Sequence, residues 1–227
     1  WMELLNFKAN HSKLIVYDRP IKTTKSGADR KLITLVTSSN PHDASSAHGN
    51  VALEVEDQLW KSATEGETLV SRLNNTTIAL PDAEHVADEK GPIAVTLLHE
   101  RGIKDKALEL IQNSKMGDNL FLAMFYLSDR DILSELVDAA SRGVLVKVIL
   151  DPNNDAFGFE KNGIPNRPVA KELVRKSRGD IKIRWCDTHG EQCHAKLLLG
   201  QSATSSFLML GSANFTSRNI DDFNLES

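Results

Sequence analysis

Two stretches of this chain set a histidine and a lysine two residues apart at the head of an apolar run: HSKLIVYD over 11–18 and HAKLLLGQ over 194–201. In a β-strand, side chains two apart leave the same face, so His11 with Lys13, and His194 with Lys196, project together from one strand end. Downstream, TSSN over 37–40 matches GSAN over 211–214, which puts Ser38 and Asn40 in the places of Ser212 and Asn214. A further asparagine follows each motif at the same interval, Asn50 in NVALE and Asn224 in NLES. A single His-x-Lys is ordinary surface decoration. Three landmarks in the same order, even with a longer loop between the first two in the first copy, mark a duplicated unit.

Each unit supplies an imidazole, a fixed cation and two neutral donors. Two units related by an approximate twofold axis would face two imidazoles across a pocket floored by two ammonium groups, which suits a phosphodiester anion. Histidine acts as nucleophile or as acid and base near neutral pH, and lysine stabilises charge developing on phosphoryl oxygens. No carboxylate cluster suited to a metal stands out in the sequence, so neither a metal nor another cofactor is expected.

The elements that must position these groups follow from hydrophobic periodicity and turn residues. Strands are expected at 13–18, 32–36 and 50–55, and residues 61–92 read as helix fragments and a connection. From about residue 101 the pattern is α/β. An amphipathic helix is expected near 104–115, a strand at 119–127, a helix at 129–143 capped by Asp129 and ended by Gly143, and a strand at 144–151. A long loop then leads to a helix near 168–177 and strands at 180–187, 195–200 and 207–212. This alternation implies a mixed or parallel sheet covered by helices. The natural division is 1–92 for the first unit and 93–227 for the second.

Composition sets outer bounds. With 227 residues, 41% of them hydrophobic and 26% charged, the chain has enough apolar content to build a core rather than remain disordered. A net charge of -4 argues against a broad basic footprint for nucleic acid, although a local basic cleft is compatible with it. No apolar run reaches the roughly 20 residues needed to span a bilayer, and the first residues lack a signal-peptide core. Localisation is otherwise unspecified. Cys186 and Cys193 are too far apart for a CxxC pair and have no second pair for a zinc site, so free thiols are expected. His189 reads as a rim residue, with His42 and His48 flanking a motif. Trp185, Phe125 and Tyr126 read as core. Asp151, after a buried strand, is a candidate to line the cleft, and Arg218 and Asn219 either reach substrate or are solvated.

The paired motifs resemble those of the phospholipase D superfamily, HxKxxxxD followed by GSxN twice per active site, and within it the cardiolipin-synthase-like bacterial proteins. The first copy fits through His11, Lys13 and Asp18, with Thr37 where the family usually has glycine. The second fits through His194, Lys196, Gly211, Ser212 and Asn214, with Gln201 where the aspartate belongs. Asn224 with Glu226 resembles the family's downstream glutamate that orients a histidine. Its counterpart in the first copy is Ala52, with Glu54 on the same strand face as a substitute.

That resemblance implies an α/β fold of two pseudo-symmetric phospholipase D-like halves, each a mixed sheet flanked by helices, with the first half N-terminally truncated. It implies a two-step displacement through a phosphohistidine, with His11 as nucleophile and His194 as general acid and base. The pseudo-symmetry leaves the two roles chemically interchangeable. Lys13, Lys196, Asn40 and Asn214 would hold the phosphate, assisted by Ser38 and Ser212, with Asp18 and Glu226 in support. The leading substrate is a phospholipid, hydrolysed or transferred, with peripheral membrane contact. A metal-independent nuclease and a catalytically silent scaffold are the alternatives. Much strand and helix precedes His194, whereas little precedes His11, so a missing N-terminal segment of the same parent protein is expected as a partner, on the order of 100 residues.

A first prediction follows from the duplicated motif. Phosphodiester cleavage is expected to persist in excess chelator and to vanish in both His11→Ala and His194→Ala; near-normal turnover of either variant in a discontinuous product assay would contradict a shared site.

Overall fold

The computed structural model describes residues 9–20, 30–40, 46–56, 59, 61–63, 93–99, 101–156, 159–221 and 224–225. The second unit is built on a five-stranded mixed sheet. In chain order it contains α1 (Arg101–Gln112), β5 (Asn119–Met124), α2 (Arg130–Ser141), β6 (Leu145–Leu150), a two-stranded hairpin of β7 (Asp155–Ala156) and β8 (Phe159–Glu160), α3 (Asn166–Lys176), β9 (Lys182–Trp185), β10 (Lys196–Gln201), β11 (Ser206–Leu210) and α4 (Ser217–Ile220). The main sheet runs β11-β10-β5-β6-β9, with β5, β6 and β9 parallel and β10 and β11 antiparallel to their neighbours. Helices α2 and α3 make the crossovers that parallel pairing requires.

The first unit contributes β1 (Ala9–Asn10), β2 (Leu14–Pro20), β3 (Arg30–Thr37) and β4 (Ala52–Glu56). Strands β2, β3 and β4 form an antiparallel sheet in that order, so among the described residues β2 pairs on one side only. A short parallel bridge joins β1 to β12 (Asn224–Leu225), which ties the head of the first unit to the tail of the second. Of the expected connection over 61–92, residues 61–63 are helical and the rest lies outside the described residues.

The core of the second unit lies between one sheet face and the helices. Strand β6 buries Val146, Val148 and Leu150, while Leu145 and Ile149 on the opposite face are 55% and 45% exposed. Strand β6 is therefore covered on one face. The core-facing side chains of α1 are Ile103, Ala107 and Ile111, and those of α2 are Ile132, Leu133 and Leu136. Trp185 also departs from expectation: it stands at the end of edge strand β9 and is 45% exposed.

A buried ionic knot fixes the helix layer. Asp129 caps α2, its Oδ1 accepting the Asp131 and Ile132 N–H groups at 3.1 and 3.0 Å, as expected from the sequence. Its other oxygen accepts from the Lys104 ammonium of α1 at 3.0 Å, and that ammonium also reaches Asp131 and Asp221. Burial alone would lower the Lys104 pKa, but three carboxylates outweigh it and hold the ammonium above its ordinary value. At the other end of α2, Gly143 adopts φ 86, the left-handed conformation that glycine takes at low cost.

Asp129→Ala is expected to remove the cap and leave Lys104 short of one buried partner, at a cost of about 2–4 kcal/mol. Urea unfolding checks this, and a midpoint within error of the parent would show that Asp131 and Asp221 satisfy Lys104 alone.

Candidate active site

Both His-x-Lys motifs sit at the entry of a strand, and they fold alike. In the first unit Lys13 is buried one residue before β2, and its Nζ donates to the carbonyl of His11 at 2.7 Å. In the second, Lys196 is the first residue of β10, is 2% exposed, and its Nζ donates to the carbonyl of His194 at 2.9 Å. Each ammonium is thereby anchored to the backbone of its own histidine. The Lys196 ammonium also lies over the Phe125 ring, 5.3 Å from its centroid, a favourable cation–π arrangement.

The two units meet at His194. This imidazole is 6% exposed, and its Nδ1 lies 2.9 Å from the Ser38 carbonyl and 3.2 Å from Asn50 Oδ1, both residues of the first unit. Asn50 Nδ2 donates to the His48 carbonyl at 3.1 Å, which orients the amide so that its oxygen faces the imidazole. Two acceptors at Nδ1 require the proton there, so in the neutral ring the lone pair is at Nε2. Neighbouring backbone closes the same seam. Gly49 N–H donates to Gln192 O at 2.8 Å, and Gln192 N–H to His48 Nδ1 at 3.0 Å. The Phe125 ring stands 4.8 Å from the His194 ring, centroid to centroid, and His48 stands at 6.3 Å.

These surroundings disfavour the imidazolium. Burial is the largest cause, the Lys196 and Lys13 ammonium groups add to it, and His11 contributes in the same sense; the Ser38 carbonyl opposes them. His194 is pushed down to about 3. His11 and Lys13 are therefore near enough to act electrostatically on His194.

The remaining candidates fall into two groups. Ser38 is fully buried, and its hydroxyl accepts from Val51 N–H at 3.0 Å and donates to Asn50 Oδ1 at 3.3 Å. Asn214 is buried at the end of its motif, with Oδ1 accepting from Tyr126 N–H at 3.1 Å. Ser212 is fully buried and Asn40 half-buried. The side chain of Asp18 and the whole of Glu226, His42 and His85 lie outside the described residues. Glu54 does not orient a histidine. It points outward on β4, where its carboxylate accepts from Tyr17 and Arg19. The partner at Nδ1 is Asn50, the landmark asparagine itself.

The sequence reading missed a polar network that supports His194 from its own unit. Asp151, at the end of β6, accepts from Cys193 N–H at 2.7 Å through Oδ2 and from Asn153 N–H at 2.6 Å through Oδ1. Asn153 and Asn166 both donate to the Phe125 carbonyl, at 3.0 and 2.8 Å, and Asn166 also donates to the Asp151 carbonyl at 2.9 Å. Asp151 thus supports the site instead of lining an open cleft. The DPNN run over 151–154 is the one signal that pointed there. Asn219 is buried, accepting from Thr216 Oγ1 at 2.7 Å, while Arg218 and His189 are exposed.

The cysteine expectation is overturned as well. Cys186 and Cys193 are joined by a disulfide. Both ends of the 186–193 turn hang from the end of β6, Cys186 N–H on Leu150 O and Cys193 N–H on Asp151, which brings the two sulfurs together.

Among the described residues, no group of three or more His, Cys, Asp or Glu side chains is arranged to hold a metal, and no helix is long and apolar enough to cross a membrane. A mixed α/β fold with a duplicated His/Lys site defines a member of the phospholipase D superfamily, whose class activity is phosphodiester chemistry. Residues 107–227 match the family model described as cardiolipin synthase, PLD-like domain, and the chain belongs to that family. Among solved structures it is similar to polyphosphate kinase from Porphyromonas gingivalis, at 17% identity and a TM-score of 0.54, covering 96% of this chain and 30% of that one. It is also similar to Nuc from Salmonella typhimurium, a phospholipase D family member, at 22% identity and a TM-score of 0.41, covering 54% and 70%. NucT from Helicobacter pylori stands at 18% identity and a TM-score of 0.43, covering 56% and 74%. No curated protein matches the chain.

His194 gives the pH dependence of stability a definite sign. Its folded pKa of about 3 lies below the ordinary 6.5, so between those values the unfolded chain binds the extra proton and stability falls as the pH is lowered. His194→Asn keeps a donor near the Nδ1 position and removes the titration. Its urea-unfolding free energy is expected to depend less on pH over that window than the parent's, and parallel slopes would contradict a depressed pKa.

Proposed function

We propose that this chain is a phospholipase D-type phosphodiesterase or phosphatidyltransferase acting on phospholipid through a phosphohistidine intermediate. The observation that carries the reading is the bond from His194 to Ser38 and Asn50, which joins the second motif's imidazole to the first motif's backbone. In the proposed site the phosphate sits between His11 and His194. Lys13 and Lys196 donate to its oxygens, and the Asn40 and Asn214 amides assist. One imidazole attacks phosphorus; the other protonates the leaving oxygen and then activates water or an acceptor alcohol.

A cavity of about 800 Å3 favours lipid over nucleic acid as substrate. Its wall includes Lys196, Gly211 and Ala213 from the second unit's motifs, and continues through Val36, Leu53, Leu198, Phe207 and Met209. Such a wall suits acyl chains and offers a polyanionic strand little. The net charge of -4 is in keeping with that preference.

The test compares headgroup release from phosphatidylglycerol vesicles with cleavage of labelled single-stranded DNA, both in chelator. Lipid turnover without DNA cleavage is expected, and the opposite outcome would make the chain a nuclease. Met209→Trp, which narrows the cavity away from the phosphate, is expected to raise KM for long-chain lipid about tenfold, worth ~1.4 kcal/mol, while turnover of bis(p-nitrophenyl) phosphate stays unchanged. Equal effects on both substrates would remove the cavity from the argument.

A further inference from the structure

We infer that the attacking lone pair belongs to Nε2 of His194 and that His11 is the proton donor, the reverse of the order that the family resemblance implies. The assignment rests on the phosphodiesterase reading above.

The argument begins at Nδ1. A nucleophilic imidazole must start uncharged with one nitrogen unprotonated, whereas a general acid must start with its proton in place. The His194 Nδ1 proton is held by a carbonyl and an amide oxygen, from Ser38 and Asn50, and neither carries the negative charge that would stabilise an imidazolium. Among the described residues no carboxylate hydrogen-bonds to His194. Asp151, the carboxylate nearest along the hydrogen-bond network, accepts from Cys193 and Asn153. The other groups facing the ring oppose a positive charge or leave it unaided. They are the Lys196 and Lys13 ammonium groups, His11, the apolar face of Phe125, and His48, whose Nδ1 accepts the Gln192 N–H. Burial, the two ammonium groups and His11 favour the neutral ring, and the two acceptors at Nδ1 leave its lone pair at Nε2.

The sequence breaks the symmetry in the same direction. Two residues beyond the landmark asparagine the second unit has Glu226 and the first has Ala52. The tail that reaches His194 is the first unit's, through Asn50, and it carries no acid at that place. The second unit's tail pairs along its backbone with Ala9–Asn10, directly ahead of His11.

The step balances as follows. Nε2 of His194 attacks phosphorus, the bond from phosphorus to the leaving oxygen breaks, and that oxygen takes the proton from His11. His11, now neutral, takes a proton from water or an acceptor alcohol as its oxygen attacks phosphorus. The N–P bond breaks and its electron pair returns to Nε2.

The test uses bis(p-nitrophenyl) phosphate, whose leaving group needs no proton. In His11→Ala a burst of nitrophenolate stoichiometric with enzyme is expected, with the phosphoryl group mapped to His194 by mass spectrometry after an alkaline quench. His194→Ala should give neither burst nor adduct. An adduct on His11 in the parent protein, or a burst kept in His194→Ala and lost in His11→Ala, would overturn the assignment while leaving phosphodiesterase activity standing. A parent protein inert towards every phosphodiester would overturn both. Asn50→Asp supplies an independent reading. A carboxylate at Nδ1 should raise the acid limb of the pH–rate profile by about one unit or more, so that turnover on that limb falls roughly tenfold relative to the parent at the same pH. A limb that does not move would show that Asn50 does not control the charge on His194.

Discussion

A buried imidazole whose Nδ1 faces two neutral oxygens of the other repeat is the constraint on which the site depends. Desolvation of a charge is costly, so a 6% exposed histidine under the influence of two ammonium groups keeps to its neutral form unless an anion arrives. The same bond fixes the tautomer, and it does so across the seam between the units. Position, tautomer and union of the two motifs are consequences of one contact, from His194 Nδ1 to Ser38 and Asn50, while burial favours the neutral form.

Holding that contact takes rigid support on both sides. From the first unit, the 48–50 turn grips Gln192 through two hydrogen bonds. From the second, Asp151, Asn153 and Asn166 tie together the ends of β5 and β6 and the start of α3, so that Phe125 and Cys193 flank the imidazole in set places. A fully satisfied buried network of this kind specifies one arrangement, because a half-satisfied alternative would leave polar groups unpaired in low dielectric. The disulfide closes the turn between β9 and His194 at the same end of the sheet. Farther out, Lys104 and its three carboxylates tie α1 to the start of α2 and the end of α4.

The two lysines illustrate why repetition suits this chemistry. A buried ammonium needs acceptors, and the carbonyl two residues back along the same strand entry is supplied by the motif's own geometry. This acceptor is local, so a duplicated local sequence reproduces the anchor twice. The environment of His194 is not local in this way: it depends on what the opposite unit presents, and the two units differ in sequence at positions such as Ala52 and Glu226.

The local features were legible in the sequence for local reasons. Periodicity gave the strands of both sheets within a few residues, and Asp129 and Gly143 marked the ends of α2 because capping is a matter of adjacent residues. The spacing of His and Lys and the matched asparagines revealed the duplication. What the tertiary structure decided were the contacts between parts far apart in sequence. Glu54 has the right type and spacing to orient a histidine, yet its strand face turns it to Tyr17 and Arg19, and Asn50 takes that place. Trp185 is apolar enough for a core, but β9 is an edge strand. Cys186 and Cys193 looked unpaired because nothing in their spacing shows that both backbones hang from the end of β6. Asp151 read as a candidate cleft residue, and its carboxylate instead accepts from Cys193 N–H. Residue types and spacings determine what chemistry a strand end carries, whereas protonation and pairing are set by which groups desolvate and contact it, and those come from the other half of the fold.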